Sequence, residues 1–149
     1  MRYAKKSLGQ NFLIDKNIIN KIVSISEISN NDVLEIGPGT GNLTEFILKK
    51  NPSNLFLIEK DKILCEYLEK KFKDNVKIFN QDVLRFDESN ISKKKLIVFG
   101  NLPYNISTEI ICNWLLKLDN NFWFSELILM FQKEVADRIT SKINTADYG

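Results

Sequence analysis

The most informative absence in this sequence of 149 residues is histidine, which does not occur at all. A chain without histidine has no imidazole for general-base catalysis or for binding a metal. The two cysteines, Cys65 and Cys112, lie in different segments, so neither a disulfide framework nor a zinc site is predicted. We therefore expect no metal site.

Long apolar runs and a strong charge imbalance are also absent. No run approaches the length of a membrane span, and no hydrophobic signal region follows the basic residues near the N-terminus. The net charge of +2 neither requires nor excludes a nucleic-acid partner. With 44% hydrophobic residues, the composition is that of a globular protein. We expect one reduced, cytoplasmic domain over residues 1–149, monomeric and without a membrane partner.

Strand patterns and helix patterns alternate along the sequence. The expected strands are Asp32–Ile36, Leu55–Ile58, Val76–Phe79, Leu96–Phe99 and Glu126–Phe131, and the expected helices are Lys16–Ile25, Leu43–Lys50, Lys62–Phe72, Thr108–Leu118 and Lys133–Ile139. This alternation predicts a mostly parallel, doubly wound α/β sheet with helices on both faces. Ile18, Ile63, Tyr67 and Leu115 are among the apolar residues at helical spacing. The polar segment Asp87–Lys95 is expected to be a surface connection.

A glycine-rich turn follows the first expected strand. In Glu35-Ile36-Gly37-Pro38-Gly39-Thr40-Gly41 the spacing is G-x-G-x-G, whereas a dinucleotide fold favours G-x-G-x-x-G, and position 42 is asparagine. Glycines at such a turn allow a ligand to approach the backbone closely. The spacing favours a nucleoside without phosphates, although tight strand-to-helix turns use glycine for structural reasons as well.

Two carboxylates follow the next strands, at the edge where parallel sheets bind ligands. Glu59 ends the second strand, where a carboxylate can accept hydrogen bonds from both ribose hydroxyls. Asp82 follows the third strand, where it can accept a hydrogen bond from an adenine amino group. A solvated or lysine-paired Glu59 and a turn-capping Asp82 are the structural alternatives. Together with the glycines, these carboxylates resemble the S-adenosylmethionine site of Rossmann-like methyltransferases.

The segment Asn101-Leu102-Pro103-Tyr104 follows the fourth strand and supplies the candidate catalytic residues. The side-chain oxygen of Asn101 and the carbonyl of Leu102 can accept hydrogen bonds from the amino group of a base, and Tyr104 can stack on its ring. This suits methylation of adenine N6 by a cofactor that brings its own leaving group, for which positioning matters most. A plain strand-ending turn is the alternative, since asparagine and proline are common there.

Four sequence blocks resemble the KsgA/RsmA family of small-subunit ribosomal RNA adenine N6,N6-dimethyltransferases, which are related to the Erm methylases. The blocks are Lys6–Leu13, Leu34–Gly41, Gly100–Thr108 and Gln132–Ala136, in the family's order. The resemblance implies a Rossmann-like fold with S-adenosyl-L-methionine as cofactor. It also implies dimethylation of two adjacent adenines in the 3′-terminal hairpin of 16S ribosomal RNA, with a pre-30S particle as partner.

The resemblance also implies residue roles. In the family the block near the N-terminus closes over the cofactor, which carries over to Asn11 and Leu13. Asn101 would contact both the methionine end of the cofactor and the target base. The implied cofactor-binding residues are Asn11, Leu13, Gly37, Gly39, Glu59, Asp82 and Asn101.

Three other functions share parts of this pattern. An Erm-like enzyme that methylates large-subunit RNA has the same cofactor motifs. A non-catalytic RNA-binding assembly factor could keep the fold, although the presence of Asn101 and Tyr104 argues against it. A nicotinamide-dependent dehydrogenase is disfavoured by the asparagine at position 42.

The chain stops at Asp147-Tyr148-Gly149, where the family continues with two more strands and a small helical domain. We therefore expect residues 1–149 to be an S-adenosylmethionine-binding domain that is incomplete at its C-terminus, with no second domain. In such a fragment Leu127–Met130 would form an open apolar edge. We expect a nearly complete cofactor pocket and weak or absent activity on RNA.

Contacts to RNA leave only a weak pattern in the sequence. Arg2, Lys5 and Lys6 form a basic arm, and Lys93–Lys95 form a second basic cluster, either of which can neutralise phosphates. Charge runs of this kind are more often solvated surface. The aromatic run Phe122–Phe124 is expected to be core that leads into the fifth strand.

Overall fold

The computed structural model describes residues 13–102, 105–116 and 122–145, which form alternating strands and helices. The helices are α1 (Lys16–Val23), α2 (Asn42–Leu48), α3 (Lys62–Phe72), α4 (Ser107–Leu116) and α5 (Lys133–Thr140), and the strands are β1 (Asp32–Ile36), β2 (Asn54–Glu59), β3 (Lys77–Asn80), β4 (Leu96–Asn101) and β5 (Phe124–Met130). These bounds agree with the sequence prediction to within two residues wherever both ends are described. Leu118, the expected end of α4, lies outside the described residues.

The described strands form one sheet of five parallel strands in the order β3-β2-β1-β4-β5. The chain adds β2 and β3 on one side of β1 and then adds β4 and β5 on the other side. The topological switch point therefore lies between β1 and β4. Ile36 pairs with Ile58 of β2 and with Gly100 of β4, which aligns the carboxyl ends of these strands. This arrangement confirms the predicted doubly wound α/β fold.

Alternate residues of the central strands face two separate hydrophobic cores. Val33 packs with α1, α2 and α3 on one face of the sheet, while Leu34 and Ile36 pack with α4 on the other face. Each fully buried aliphatic side chain contributes about 1.5–3 kcal/mol relative to its exposed state. The two cores therefore hold helices on both sides and leave the ends of the strands as the place for a site.

Several of the apolar residues at helical spacing are exposed. Ile18 is 47% exposed, Ile63 58%, Tyr67 37% and Leu115 53%. Helices α1, α3 and α4, which carry these residues, each bury only a narrow stripe of side chains against the sheet, and the four residues lie outside that stripe. In the run Phe122–Phe124, Trp123 and Phe124 pack at the edge of the second core as expected, whereas Phe122 is exposed.

The segment Asp87–Lys95 is not a plain surface connection, which corrects the sequence prediction. Glu88 is only 5% exposed, and its Oε1 accepts a hydrogen bond of 2.9 Å from Nε1 of Trp114 in α4. Ser92 donates a hydrogen bond of 2.6 Å to the buried carboxylate of Asp32 at the start of β1. These two hydrogen bonds connect the segment to α4 and to β1. They also give the buried carboxylates of Glu88 and Asp32 the donors that make their burial affordable in free energy.

Strand β5 lies at an edge of the sheet that the described residues form, as expected from the sequence. Its residues Leu127–Met130 are half-buried. Unpaired strand edges with apolar side chains favour association with other strands. Among the described residues, no helix has both the length and the apolarity that a membrane crossing requires.

Candidate functional site

The register of the sheet brings the glycine turn and the end of β4 together. Gly37 follows Ile36, which pairs with Gly100, so Gly37 lies opposite Asn101. A Cβ added to Gly37 would lie 3.8 Å from the carbonyl oxygen of Asn101. On the other side, the Gly37 N–H donates a hydrogen bond of 2.9 Å to the carbonyl of Ile58 in β2. The turn therefore sits at the topological switch point, where ligands bind in sheets of this type.

The three glycines of the turn all adopt the left-handed conformation. Their φ angles are 64° for Gly37, 59° for Gly39 and 77° for Gly41, a region that side chains other than hydrogen disfavour. Helix α2 begins directly after Gly41. At Gly37 the backbone is open to close approach by a ligand, since an added Cβ would make only an ordinary contact of 3.8 Å, whereas at Gly41 the ring of Phe72 fills the space where a Cβ would stand.

Asn42, the residue that departs from the dinucleotide pattern, has a structural role. Its Nδ2 donates a hydrogen bond of 2.8 Å to the carbonyl of Leu13. Leu13 itself is half-buried against the first core. This contact connects the start of α2 to the segment that the family resemblance places over the cofactor.

Glu59 is a buried carboxylate that connects β2 to the glycine turn. It is 5% exposed, its Oε1 accepts the Asp61 N–H at 2.8 Å, and its Oε2 accepts the Gly39 N–H at 3.3 Å. Burial raises the pKa of Glu59, and the backbone N–H donors partly offset that increase. The solvated and lysine-paired alternatives for Glu59 are therefore wrong, whereas its ribose-binding role stays a prediction.

The backbone at Glu59 is fixed by two further side chains. Asn80 Nδ2 donates to the Glu59 carbonyl at 3.0 Å, and the Cys65 thiol donates to the same carbonyl at 3.4 Å. Burial raises the pKa of the Cys65 thiol to about 11, so it remains protonated at neutral pH. These contacts hold the end of β2 in one position.

Asp82 caps a turn and pairs with a lysine. Its Oδ1 accepts the Leu84 N–H at 3.2 Å, and its Oδ2 lies 2.7 Å from Nζ of Lys60. The hydrogen bond from Lys60 lowers the pKa of Asp82, so the side chain is an anion at neutral pH. The turn-capping alternative is thus present in the structure, and the adenine-binding role stays a prediction beside it.

Of the candidate catalytic residues, the structure describes Asn101 and Leu102. Asn101 is the last residue of β4 and is half-buried. Leu102 is 1% exposed and its side chain packs in the second core, so the side chain does not face a ligand and the role of its carbonyl stays a prediction. Pro103, Tyr104 and Asn11 lie outside the described residues.

Two residues of the site have long-range contacts that the sequence analysis did not identify. Glu35, inside β1, is 2% exposed and accepts a hydrogen bond of 2.7 Å from the Thr44 hydroxyl. A charged residue between the apolar residues Leu34 and Ile36 is the signal that could have identified it. Lys71 of α3 donates a hydrogen bond of 2.9 Å to the carbonyl of Thr40 in the turn, and no sequence pattern indicates this contact.

The basic clusters are only partly described. Arg2, Lys5 and Lys6 lie outside the described residues, whereas Lys93–Lys95 are exposed, and Nζ of Lys95 lies 5.9 Å from the ring centroid of Phe122. The described part of the chain contains no group of three or more cysteine, aspartate or glutamate residues placed to hold a metal ion.

Curated relatives match nearly the whole chain. A protein named ribosomal RNA small subunit methyltransferase A from Pelagibacter ubique (strain HTCC1062) is 61% identical over 146 residues, covering 98% of this chain and 56% of that protein. A protein of the same name from Mycoplasmopsis synoviae (strain 53) is 47% identical over 147 residues, covering 97% of this chain and 55% of that protein. The chain spans about half the length of the curated relatives it matches.

Solved structures of methyltransferases share the fold. The crystal structure of a dimethyladenosine transferase from Plasmodium falciparum matches with a TM-score of 0.79 at 27% identity, covering 93% of this chain and 50% of that chain. The crystal structure of the 23S rRNA methyltransferase ErmE matches with a TM-score of 0.71 at 28% identity, covering 93% of this chain and 53% of that chain. These matches confirm the Rossmann-like methyltransferase fold, for which S-adenosyl-L-methionine is the cofactor.

The family assignment follows from a match over the whole length of the chain. The family model described as ribosomal RNA adenine dimethylase matches residues 1–149. This match agrees with the resemblance of the four sequence blocks and with the names of the curated relatives. The chain belongs to the ribosomal RNA adenine dimethylase family.

Proposed function

We propose that this chain is the cofactor-binding part of an enzyme that transfers methyl groups to N6 of two adjacent adenines in the 3′-terminal hairpin of small-subunit ribosomal RNA. The observation that carries the proposal is the position of Asn101 opposite Gly37 at the switch point of the sheet. The names of the curated relatives support the small subunit as the source of the RNA. A pre-30S particle is the partner that this substrate implies.

The residues at the strand ends fit S-adenosyl-L-methionine. The space beside Gly37 is open to a ligand, and Glu59 presents a buried carboxylate already oriented by two backbone donors. In the proposed complex Glu59 accepts hydrogen bonds from the ribose hydroxyls, and the Asp82 anion accepts one from the adenine amino group. Asn11 and Leu13 would cover the bound cofactor, as the family resemblance implies.

The end of β4 would hold the target base. S-adenosyl-L-methionine supplies an activated methyl group when it is bound. The Asn101 side-chain oxygen and the Leu102 carbonyl would accept hydrogen bonds from the adenine N6 amino group and orient its lone pair toward the cofactor. Tyr104 would stack on a base drawn out of its RNA context. Rate enhancement in such a site comes mainly from positioning the two reactants.

Cofactor binding tests the first half of the proposal. We expect the chain to bind S-adenosylhomocysteine in isothermal titration and to bind NAD at least a hundredfold more weakly. Replacing Glu59 with alanine should weaken S-adenosylhomocysteine binding by about a hundredfold, equivalent to about 2.7 kcal/mol. The reason is that the ribose loses its acceptor, and the Gly39 N–H loses the partner that fixes the turn.

Glu66→Ala is the matched control, because Glu66 is an exposed carboxylate of α3. This variant should bind S-adenosylhomocysteine as the unmodified chain does. Equal affinity of Glu59→Ala and Glu66→Ala would contradict the ribose-binding role. Preference for NAD would contradict the methyltransferase proposal as a whole.

Methyl transfer to RNA tests the second half. We expect residues 1–149, incubated with isotope-labelled cofactor and unmodified small-subunit RNA, to form a low yield of N6,N6-dimethyladenosine, detected by mass spectrometry of the digested RNA. Asn101→Ala should reduce this yield ten- to hundredfold, since misplacement of a reacting group can cost about a hundredfold in rate. Asn20→Ala, on the exposed face of α1, should leave it unchanged.

The choice of RNA separates the proposal from its nearest alternative. Methylation of large-subunit RNA in preference to small-subunit RNA would indicate an Erm-like enzyme. Binding of RNA with no methylation, even in a longer chain that carries the remaining length of its relatives, would indicate an assembly factor.

A further inference from the structure

We propose that Lys71 is a positioning residue for cofactor binding, which holds the glycine turn in shape through the carbonyl of Thr40. This inference rests on the proposed function, because it takes the turn Gly37–Gly41 as part of the cofactor site. Lys71 lies in the last turn of α3, thirty-one positions after Thr40 in the sequence.

The ammonium group of Lys71 joins three elements. It donates a hydrogen bond of 2.9 Å to the Thr40 carbonyl and lies 2.7 Å from Oε1 of Glu45 in the first turn of α2. It also lies 5.1 Å from the ring centroid of Phe72. The Lys71 side chain is 24% exposed, so its contacts are partly shielded from water.

The turn needs such a contact because of its composition. Thr40 lies between Gly39 and Gly41, both of which have left-handed backbones. Glycine has more conformational freedom than any other residue, so ordering this segment on binding costs the most entropy. A charged donor fixed on the carbonyl between the two glycines removes part of that cost before the cofactor arrives.

Three consecutive residues of the turn are fixed from the β2–α3 unit. Glu59 accepts the N–H of Gly39, Lys71 donates to the carbonyl of Thr40, and the ring of Phe72 fills the space behind Gly41. Removal of Glu59 would also remove the proposed ribose acceptor, and removal of Phe72 would open the core. Lys71 is the contact that can be removed while the ligand-binding groups and the packing remain.

The test is the affinity of the full 149-residue chain for S-adenosylhomocysteine. We expect Lys71→Met, which keeps an unbranched side chain of similar length but removes the ammonium group, to raise the dissociation constant five- to tenfold. Lys71→Arg keeps both the charge and the hydrogen-bond donors, and it should restore the affinity to within twofold of the unmodified chain. Lys70→Met, the exposed neighbour on α3, is the matched control and should have no effect.

A second variant separates the carbonyl contact from the ion pair. Glu45→Gln removes the ion pair with Lys71 but leaves the donor on Thr40, so it should change the affinity less than twofold. The amide resonances of Gly39 and Gly41 in a ¹H–¹⁵N spectrum report the turn directly. They should shift in Lys71→Met and stay in place in Glu45→Gln and Lys70→Met, which a general loss of stability would not produce.

The binding data and the glycine amide shifts separate the proposed role of Lys71 from an effect of the ion pair and from a failure of the proposed function. Equal affinity of Lys71→Met and Lys70→Met, or glycine amides that do not move, would overturn the inference while the proposed function stands. An effect of Glu45→Gln as large as that of Lys71→Met would assign the effect to the ion pair and overturn the role of the Thr40 contact. If the unmodified chain and Lys70→Met both fail to bind S-adenosylhomocysteine, the proposed function fails and this inference with it.

Discussion

Replacing Gly41 with alanine is expected to lower the free energy of unfolding by about 3 kcal/mol or more. Two costs add at this position. Gly41 has a φ of 77°, and a Cβ there would lie 2.5 Å from Cε2 of Phe72 and 2.9 Å from Cδ2 of Leu68. Both neighbours are buried side chains of α3, so neither can move aside without disturbing the first core. Denaturation with urea, followed by circular dichroism, measures the loss.

Gly37→Ala is the control that isolates the packing cost. Gly37 has a similar φ of 64°, but an added Cβ would lie 3.8 Å from the Asn101 carbonyl oxygen, which is ordinary contact. This variant should lose only the conformational part, about 1–2 kcal/mol. A loss in Gly41→Ala no greater than that in Gly37→Ala would show that α3 moves away from the turn without cost. The close packing of α3 against Gly41 would then be irrelevant to stability.

The regular elements of this fold are predictable because their signals are local. Asp32–Ile36 has apolar residues at three of its five positions and is stopped by a glycine, and the structure has a strand with these bounds. Helix α3 begins at Lys62, as the sequence predicts, since the preceding Asp61 caps it by accepting the Ile63 N–H at 2.9 Å. Helical spacing alone fails at Ile63 and Tyr67, because it does not reveal how wide a stripe the sheet covers.

The site is predictable in part for a different reason. Parallel strands end at one edge, so the sequence can place Gly37, Glu59 and Asn101 near one another without knowing any contact. The partners of these residues come from distant segments, and their identities depend on the packing of whole elements. The contacts of Glu59 with Gly39 and of Lys71 with Thr40 join distant segments in this way, so only the structure reveals them.

Glu35 is the group whose ionisation should dominate the pH dependence of stability. Burial raises its pKa from 4.5 to about 8, the charge of Glu59 adds to the increase, and the hydrogen bond from Thr44 opposes it. The folded chain therefore binds a proton at Glu35 over a range in which the unfolded chain has released it. Stability from this group is fully present below pH 4.5 and is lost as the pH rises to about 8.

Glu35→Gln removes this ionisable group while it keeps an oxygen that can accept the hydrogen bond from the Thr44 hydroxyl. We expect the variant to gain stability relative to the unmodified chain by about 1.4 kcal/mol for each pH unit between pH 5 and 8. The whole gain has an upper limit of about 5 kcal/mol, which corresponds to the increase in the pKa of Glu35 from 4.5 in the unfolded chain to about 8 in the folded chain. Urea denaturation at a series of pH values gives the difference directly.

Thr44→Val supplies the control for the pH dependence of Glu35. This variant keeps the carboxylate but removes the hydroxyl that lowers its pKa, so the loss of stability with pH should persist and extend to higher pH. Glu59 also has a raised pKa, but it is present in every variant and largely cancels in the comparison. A difference between Glu35→Gln and the unmodified chain that stays constant from pH 5 to 8 would mean that water reaches Glu35. The buried position of Glu35 between β1 and α2 would then be wrong.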